Sequence, residues 1–189
     1  MKEEEFLKKL KAHGEKNDIP NISFTNAKFL RDLIKIKKAK KILEIGTANG
    51  FSTINFAYEI KNLSYSSITT IEFSPKSYAD ALINFKEAGV ESLINPILGN
   101  ALDVIPKLKE KYDFVFIDGM KKRSKDFLLL VRNKTKKGGI IIIDDVIKFK
   151  KIEHKEKMLP LYNYVEENKI SHNIIPIDVD DGIMMIIKD

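Results

Sequence analysis

Residues 42–53 read ILEIGTANGFST. An apolar run meets an acid, Glu44, passes through a chain of small residues and enters a helix-like segment. Gly46 and Gly50, with Thr47, Ala48 and Asn49 between them, allow a tight turn and let a ligand approach bare backbone. The spacing G-x-x-x-G is not the dinucleotide fingerprint, because position 48 is alanine, and it lacks the Gly-Lys-Ser/Thr ending of a phosphate loop. Glu44 would repel a pyrophosphate. An acid just before this turn suits a ligand that carries positive charge and no phosphate.

Outward from this stretch the chain alternates. Strand-like runs rich in Ile, Val and Phe occur at 40–46, 67–73, 94–99, 112–118 and 139–144, with amphipathic segments between them at 50–61, 75–88, 101–110 and 124–136. Continuous apolar strands alternating with helices predict an α/β domain whose parallel sheet is covered by helices on both faces. The end differs. After a helical stretch near 152–169 come HNIIPIDV and GIMMIIK, joined by Asp180, Asp181 and Gly182. Asp-Gly between two strand-like runs is a hairpin signal, so the last strand should run antiparallel. With no repeat and no linker, residues 1–189 read as one domain, and the first 20 residues read as a polar helical lead-in.

In such a sheet, ligands bind outside the carboxyl ends of the strands. The residues at those ends are Glu44 to Gly50, Glu72, Gly99 to Ala101, Asp118 to Lys121, and Asp144 with Asp145. An acid at a strand end is ordinarily a helix cap or a solvated turn. Carboxylates at four of five ends on one edge call for cations there instead. Glu72, closing the second strand with Phe73 beside it, stands where an acid commonly takes the two hydroxyls of a ribose. A cationic ribosyl ligand without phosphate points to S-adenosylmethionine.

Composition bounds the rest. The chain has 189 residues and no cysteine, so disulfides, thiolate metal sites and a catalytic thiol are excluded. The opening MKEEEFLKKLKAHGEKN lacks the apolar centre of a signal peptide, and no apolar run is long enough to span a bilayer. A cytoplasmic protein without membrane contact is expected. The net charge of +6 invites a polyanionic partner, but only Arg31, Arg123 and Arg132 supply the planar fork that nucleic-acid sites favour.

The ordered segments IPNIS, ILEIGTANGFST, TTIEFSPKSYADALINFKEAGV, GNALDVIPKL, YDFVFIDGMK, GGIIIIDDV and DGIMMI resemble the class I S-adenosylmethionine-dependent methyltransferases of the cation-dependent O-methyltransferase group. These are the relatives of catechol and caffeoyl-CoA O-methyltransferases. The resemblance runs from about Ile19 to the end of the chain. It implies a Rossmann-like domain with a seven-stranded sheet, mostly parallel, whose last strand is antiparallel.

The resemblance also implies roles. Glu44, Gly46, Thr47, Gly50 and Ser52 would surround the methionine part of the cofactor, Glu72 and Phe73 its ribose, and Asn100 and Ala101 its adenine. Asp118, Asp144 and Asp145 match the group's metal ligands, with Asp118 also beside the cofactor, and Lys121 matches a lysine that serves as general base. Three hard oxygen donors suit Mg²⁺, and a cation near a lysine lowers its pKa toward a usable base. There are departures. The group usually has Asp-Asn where this chain has Asp144-Asp145, an acid where it has Asn100, a tyrosine where it has Ser124, and an acid-Gly-Gln pattern where FTNAK follows Ser23.

Two acceptors are open at this point, a hydroxylated uridine in tRNA and a small catechol-like molecule. A cofactor-binding protein without catalysis is the reading from another class. Lysines after the fourth and fifth strands, Lys122, Lys125, Lys148, Lys150, Lys151, Lys155 and Lys157, with Arg123, would hold a phosphate backbone at the catalytic rim. The resemblance makes a homodimer the default assembly.

Overall fold

The computed structural model describes residues 2–147, 152–178 and 181–189. Seven strands form one sheet: β1 Lys41–Ile45, β2 Ser67–Glu72, β3 Ile94–Leu98, β4 Tyr112–Ile117, β5 Thr135–Ile143, β6 Asn173–Asp178 and β7 Asp181–Ile187. Their order across the sheet is β3-β2-β1-β4-β5-β7-β6. Pairings from β3 through β5 are parallel, and β7 runs antiparallel to both β5 and β6. The antiparallel last strand expected from the sequence is present. Asp181 and Gly182 belong to β7 itself, and Asp180, expected in the connection, lies outside the described residues.

Helices cover both faces because each central strand is apolar on both sides. Residues along β1 alternate between faces. Ile42 packs with α1 (Lys2–Lys16), α2 (Phe24–Lys37), α3 (Phe51–Ile60) and α4 (Pro75–Glu87). Leu43 and Ile45 pack with α5 (Ala101–Val104), α6 (Ser124–Arg132) and α7 (Ile152–Glu167) on the other side. On the first face Phe56 meets Phe114 and Phe116 edge-on, at centroid distances of 6.0 and 5.5 Å.

Two segments depart from the periodicity reading. The helix expected over 101–110 stops at Val104, and a short 3₁₀ turn follows that contains Pro106, which has no amide hydrogen to continue an α-helical ladder. The helix α2, which the alternation did not announce, forms where Ser23 accepts the Asn26 amide hydrogen at 3.0 Å and Ala27, Leu30 and Ile34 supply a buried stripe. Among the described residues no helix is long and apolar enough to cross a membrane.

Candidate active site

The carboxyl edge of the sheet opens into a cavity of about 1150 Å³. Its floor is the turn after β1, Gly46 to Ala48, and one wall is Glu72 and Phe73 with Gly99 to Leu102. The opposite wall is Asp118 to Arg123 together with Asp144 and Asp145. The stretch Asp18 to Ser23, between α1 and α2, completes it, with Lys11 of α1 behind. Lys11 Nζ donates to the Asn21 carbonyl at 2.9 Å and fastens that stretch to α1.

The glycines of the opening motif serve the chain before they serve a ligand. Gly46 has φ +96°, and a Cβ there would stand 2.4 Å from the Asp118 carbonyl oxygen, so only glycine lets the ends of β1 and β4 come together. Gly50 has φ +86°, caps α3, and would strike the Phe85 ring 2.6 Å away. Gly50 does not line the cavity. The turn is braced by Glu72, whose Oε2 accepts the amide hydrogens of Thr47 (3.0 Å) and Ala48 (2.9 Å) while Oε1 accepts that of Ser74 (2.8 Å). Three of the roughly four lone-pair positions of this carboxylate are thus committed to backbone.

Glu44, expected against the ligand, stands one layer beneath it. The strand alternation that sends Leu43 and Ile45 to one face sends Glu44 to the other, under α3, where it is wholly buried and does not line the cavity. Its carboxyl accepts hydrogens from Ser52 (2.5 Å), Thr53 and Thr70 (2.6 Å). Burial raises its pKa to about 7 against the pull of those hydroxyls, so it is not the plain negative charge that a cationic ligand would feel. Its effect on the cavity is mechanical: Ser52, which does line the cavity, is held by it.

Asp118, Lys121, Asp144 and Asp145 come together from the ends of β4 and β5. Lys121 Nζ lies 2.8 Å from Asp118 Oδ1, 3.3 Å from the Asp144 carbonyl oxygen and 3.8 Å from Asp145 Oδ2. Burial alone would lower the lysine's pKa, but the Asp118, Asp144 and Asp145 charges outweigh it and hold the ammonium above the ordinary lysine value. Burial, with the Asp118 charge beside it, pushes the Asp144 carboxyl well above the usual carboxylate range, against the Lys121 ammonium. Asp145 has φ +58°, a left-handed conformation that Asp and Asn adopt more readily than other side-chain-bearing residues.

The donor chemistry of these acids, hard oxygens, is what Mg²⁺ takes. In the arrangement present, no three acidic, histidine or cysteine side chains among the described residues converge closely enough to hold a metal. The Lys121 ammonium stands among their oxygens as a cation of the chain's own. A divalent cation held by these acids would compete with that ammonium for the same oxygens.

Of the other residues singled out in the sequence, Thr47, Phe73, Asn100 and Ala101 line the cavity. Asn100 spends its Oδ1 on the Leu102 amide hydrogen at 3.1 Å, capping α5, which leaves its amide nitrogen for a ligand. Phe73 is 73% exposed, an open ring face at the cavity mouth. Lys122 and Arg123 also line it, and Arg123 is paired with Asp126 at 3.0 Å. Of the remaining rim lysines, Lys157 is paired with Glu153 at 2.6 Å, and Lys148, Lys150 and Lys151 lie outside the described residues. Sequence reasoning missed the Glu44 partners Thr53 and Thr70, and it missed Asn26. The capping serine three residues before Asn26 is the local signal for its place in α2, but its partner is 118 residues away.

Known proteins similar to this chain are O-methyltransferases. The chain is 32% identical over 140 residues to a catechol O-methyltransferase of Mycobacterium tuberculosis, covering 72% of this chain and 63% of that protein. It is 34% identical over 137 residues to a catechol O-methyltransferase of Niastella koreensis, covering 70% and 61%. These matches thus span about six-tenths of the length of those two relatives. The solved O-methyltransferase of Bacillus cereus, in complex with SAH, superposes with a TM-score of 0.83 over 97% of this chain and 91% of its own, at 26% identity. A family model described as O-methyltransferase matches residues 1–189, and the chain belongs to the O-methyltransferase family.

Proposed function

We propose that this protein transfers the methyl group of S-adenosylmethionine to a hydroxyl oxygen, assisted by a divalent cation that Asp118, Asp144 and Asp145 would hold. The observation that carries the reading is that Asp118, Asp144 and Asp145 line the same cavity as the Glu72-braced turn, with the Lys121 ammonium among them. The names of the relatives and the SAH-bound neighbour support the same chemistry.

When bound, the cation would act as a Lewis acid on the acceptor hydroxyl and fix its oxygen in place. The chain's own residues do the rest. The Glu72-braced turn keeps the Thr47 and Ala48 backbone in the cavity floor, and the open face of Phe73 suits a purine or ribose edge. Lys121 is where the acceptor proton goes. A cation held by Asp118, Asp144 and Asp145 would neutralise the charges that keep its ammonium protonated, and once that proton has passed to solvent Nζ could take the acceptor's. Methyl transfer in line from sulfonium to oxygen then depends chiefly on holding the two atoms in register.

For the acceptor, a small molecule with adjacent hydroxyls fits a cavity of about 1150 Å³ shared with the cofactor. A second reading, a hydroxylated uridine in tRNA, is favoured by Lys122 and Arg123 at the cavity mouth. One assay separates them. Purified protein with S-adenosylmethionine is offered a free catechol or unmodified and hydroxylated tRNA, with and without excess EDTA, and SAH release is measured. Catechol turnover that stops in EDTA is the expected result. Methylation of tRNA alone, with affinity falling by roughly 0.7–0.9 in log–log slope per phosphate contact, would replace it. Full activity in EDTA would remove the cation from the mechanism.

A further inference from the structure

Asn26 is 1% exposed, on the first turn of α2, and its side chain reaches across to the acid at the end of β5. Its Nδ2 donates to Asp144 Oδ1 at 2.8 Å. A carboxylate oxygen accepts, so the bond fixes which way the amide points. The Asn26 side-chain oxygen, Oδ1, is left buried with no hydrogen-bond partner among the described residues. Orphaning an acceptor is costly, and a leucine of similar shape would avoid the cost. The arrangement is therefore poorly explained by packing, and well explained by the need for an N–H at Asp144.

The backbone of Asn26 is held as firmly as its side chain. Its amide hydrogen goes to Ser23 Oγ at 3.0 Å, and Ser23 belongs to the stretch that walls the cavity. Asp144 is fixed from its own side by its backbone N–H, donated to the Ile117 carbonyl at 2.9 Å. One carboxylate oxygen is thus taken up by Asn26, which orients the other.

We infer that Asn26 is a positioning residue that holds the Asp144 carboxylate in the rotamer from which it ligates the divalent cation. The inference rests on the cation reading proposed above. Groups that hydrogen-bond to metal ligands commonly change metal affinity by about 10–100-fold when removed. Asn26 does not line the cavity, and its side-chain hydrogen bond goes to Asp144.

The test measures Mn²⁺ affinity by electron paramagnetic resonance and SAH affinity by calorimetry, in the wild type, Asn26→Ala and Asn26→Leu. Leucine preserves the packing where alanine leaves a cavity. The expected result is Mn²⁺ binding weakened about 10–100-fold in both variants, with SAH affinity and melting temperature little changed. Variants that bind Mn²⁺ as the wild type does would overturn the inference and leave the cation reading standing. Parallel loss of Mn²⁺ binding, SAH binding and thermal stability would also overturn it, in favour of a packing role. A wild type that binds no Mn²⁺ would overturn the cation reading, and the inference with it.

Discussion

The ammonium of Lys121 lies 2.8 Å from Asp118 Oδ1, three residues earlier in the chain, and it also faces Asp145 and the Asp144 carbonyl. One side chain thereby neutralises an acidic edge, and in the proposed reaction the same nitrogen would act as the base. The two roles would exclude one another in time, because the ammonium has to give up its proton before the nitrogen can accept another.

Replacing Lys121 by Met should lower turnover by about 10²–10⁴-fold, the range for a general base, without weakening SAH binding. It should also destabilise the chain by about 2 kcal/mol. That lies below the 3–5 kcal/mol of a fully buried pair, because a fifth of the Lys121 side chain is exposed. Added Mg²⁺ should raise the melting temperature of this variant more than that of the wild type. A variant as stable as wild type in EDTA would show that the ammonium is not needed to hold the acids.

Glu44 should make stability depend on pH in the direction opposite to an ordinary surface carboxylate. Its folded-state pKa of about 7 exceeds its ordinary 4.5, so between these values the native state keeps a proton that the unfolded chain has released. Its contribution is full below pH 4.5 and is lost as pH rises to about 7, amounting to about 3 kcal/mol. Glu44→Gln should remove this slope, so that the variant gains on the wild type between about pH 5 and about pH 8. Thermal unfolding across that range is the check, and parallel curves would contradict the assignment.

Removing Glu72 should cost cofactor affinity by two routes, the lost acceptor and the freed turn. Glu72→Ala should weaken SAH by at least about 1.5–3 kcal/mol, the range for hydrogen bonds to a charged group. Glu72→Gln should recover only part, because its amide nitrogen cannot accept the backbone hydrogens that both carboxylate oxygens now take. Equal affinity in wild type and both variants by calorimetry would remove Glu72 from the binding site.

Asp145 can become asparagine without harm to the fold. Asn suits a φ of +58° as well as Asp does, so Asp145→Asn should stay within about 0.5 kcal/mol of wild-type stability. Asp145→Val should cost about 1–2 kcal/mol from backbone strain alone. Cation affinity should fall in both, because one carboxylate is gone. Chemical denaturation read beside Mn²⁺ titration separates the two effects.

The sheet, its antiparallel last strand and the edge at which the cavity opens were legible along the chain, because they rest on short-range regularities. Runs of Ile, Val and Phe alternate with amphipathic segments, Asp-Gly opens the last strand, and acids recur where the apolar runs stop. The same regularities missed α2 and overextended α5, where one capping serine and one proline decided the outcome. Tertiary structure alone decided what each carboxylate does. Glu44 and Glu72 are alike as acids near strand ends, yet one lies under α3 with three hydroxyls and the other clasps the turn that needs Gly46. Gly46 itself answers to the carbonyl of Asp118, 72 residues on, and Asp144 to Asn26, 118 residues back. Such partners are set by which strands lie side by side and which face a residue takes, and desolvation then fixes their charge. No local pattern carries that information, because the forces involved act between chain segments that meet only after folding.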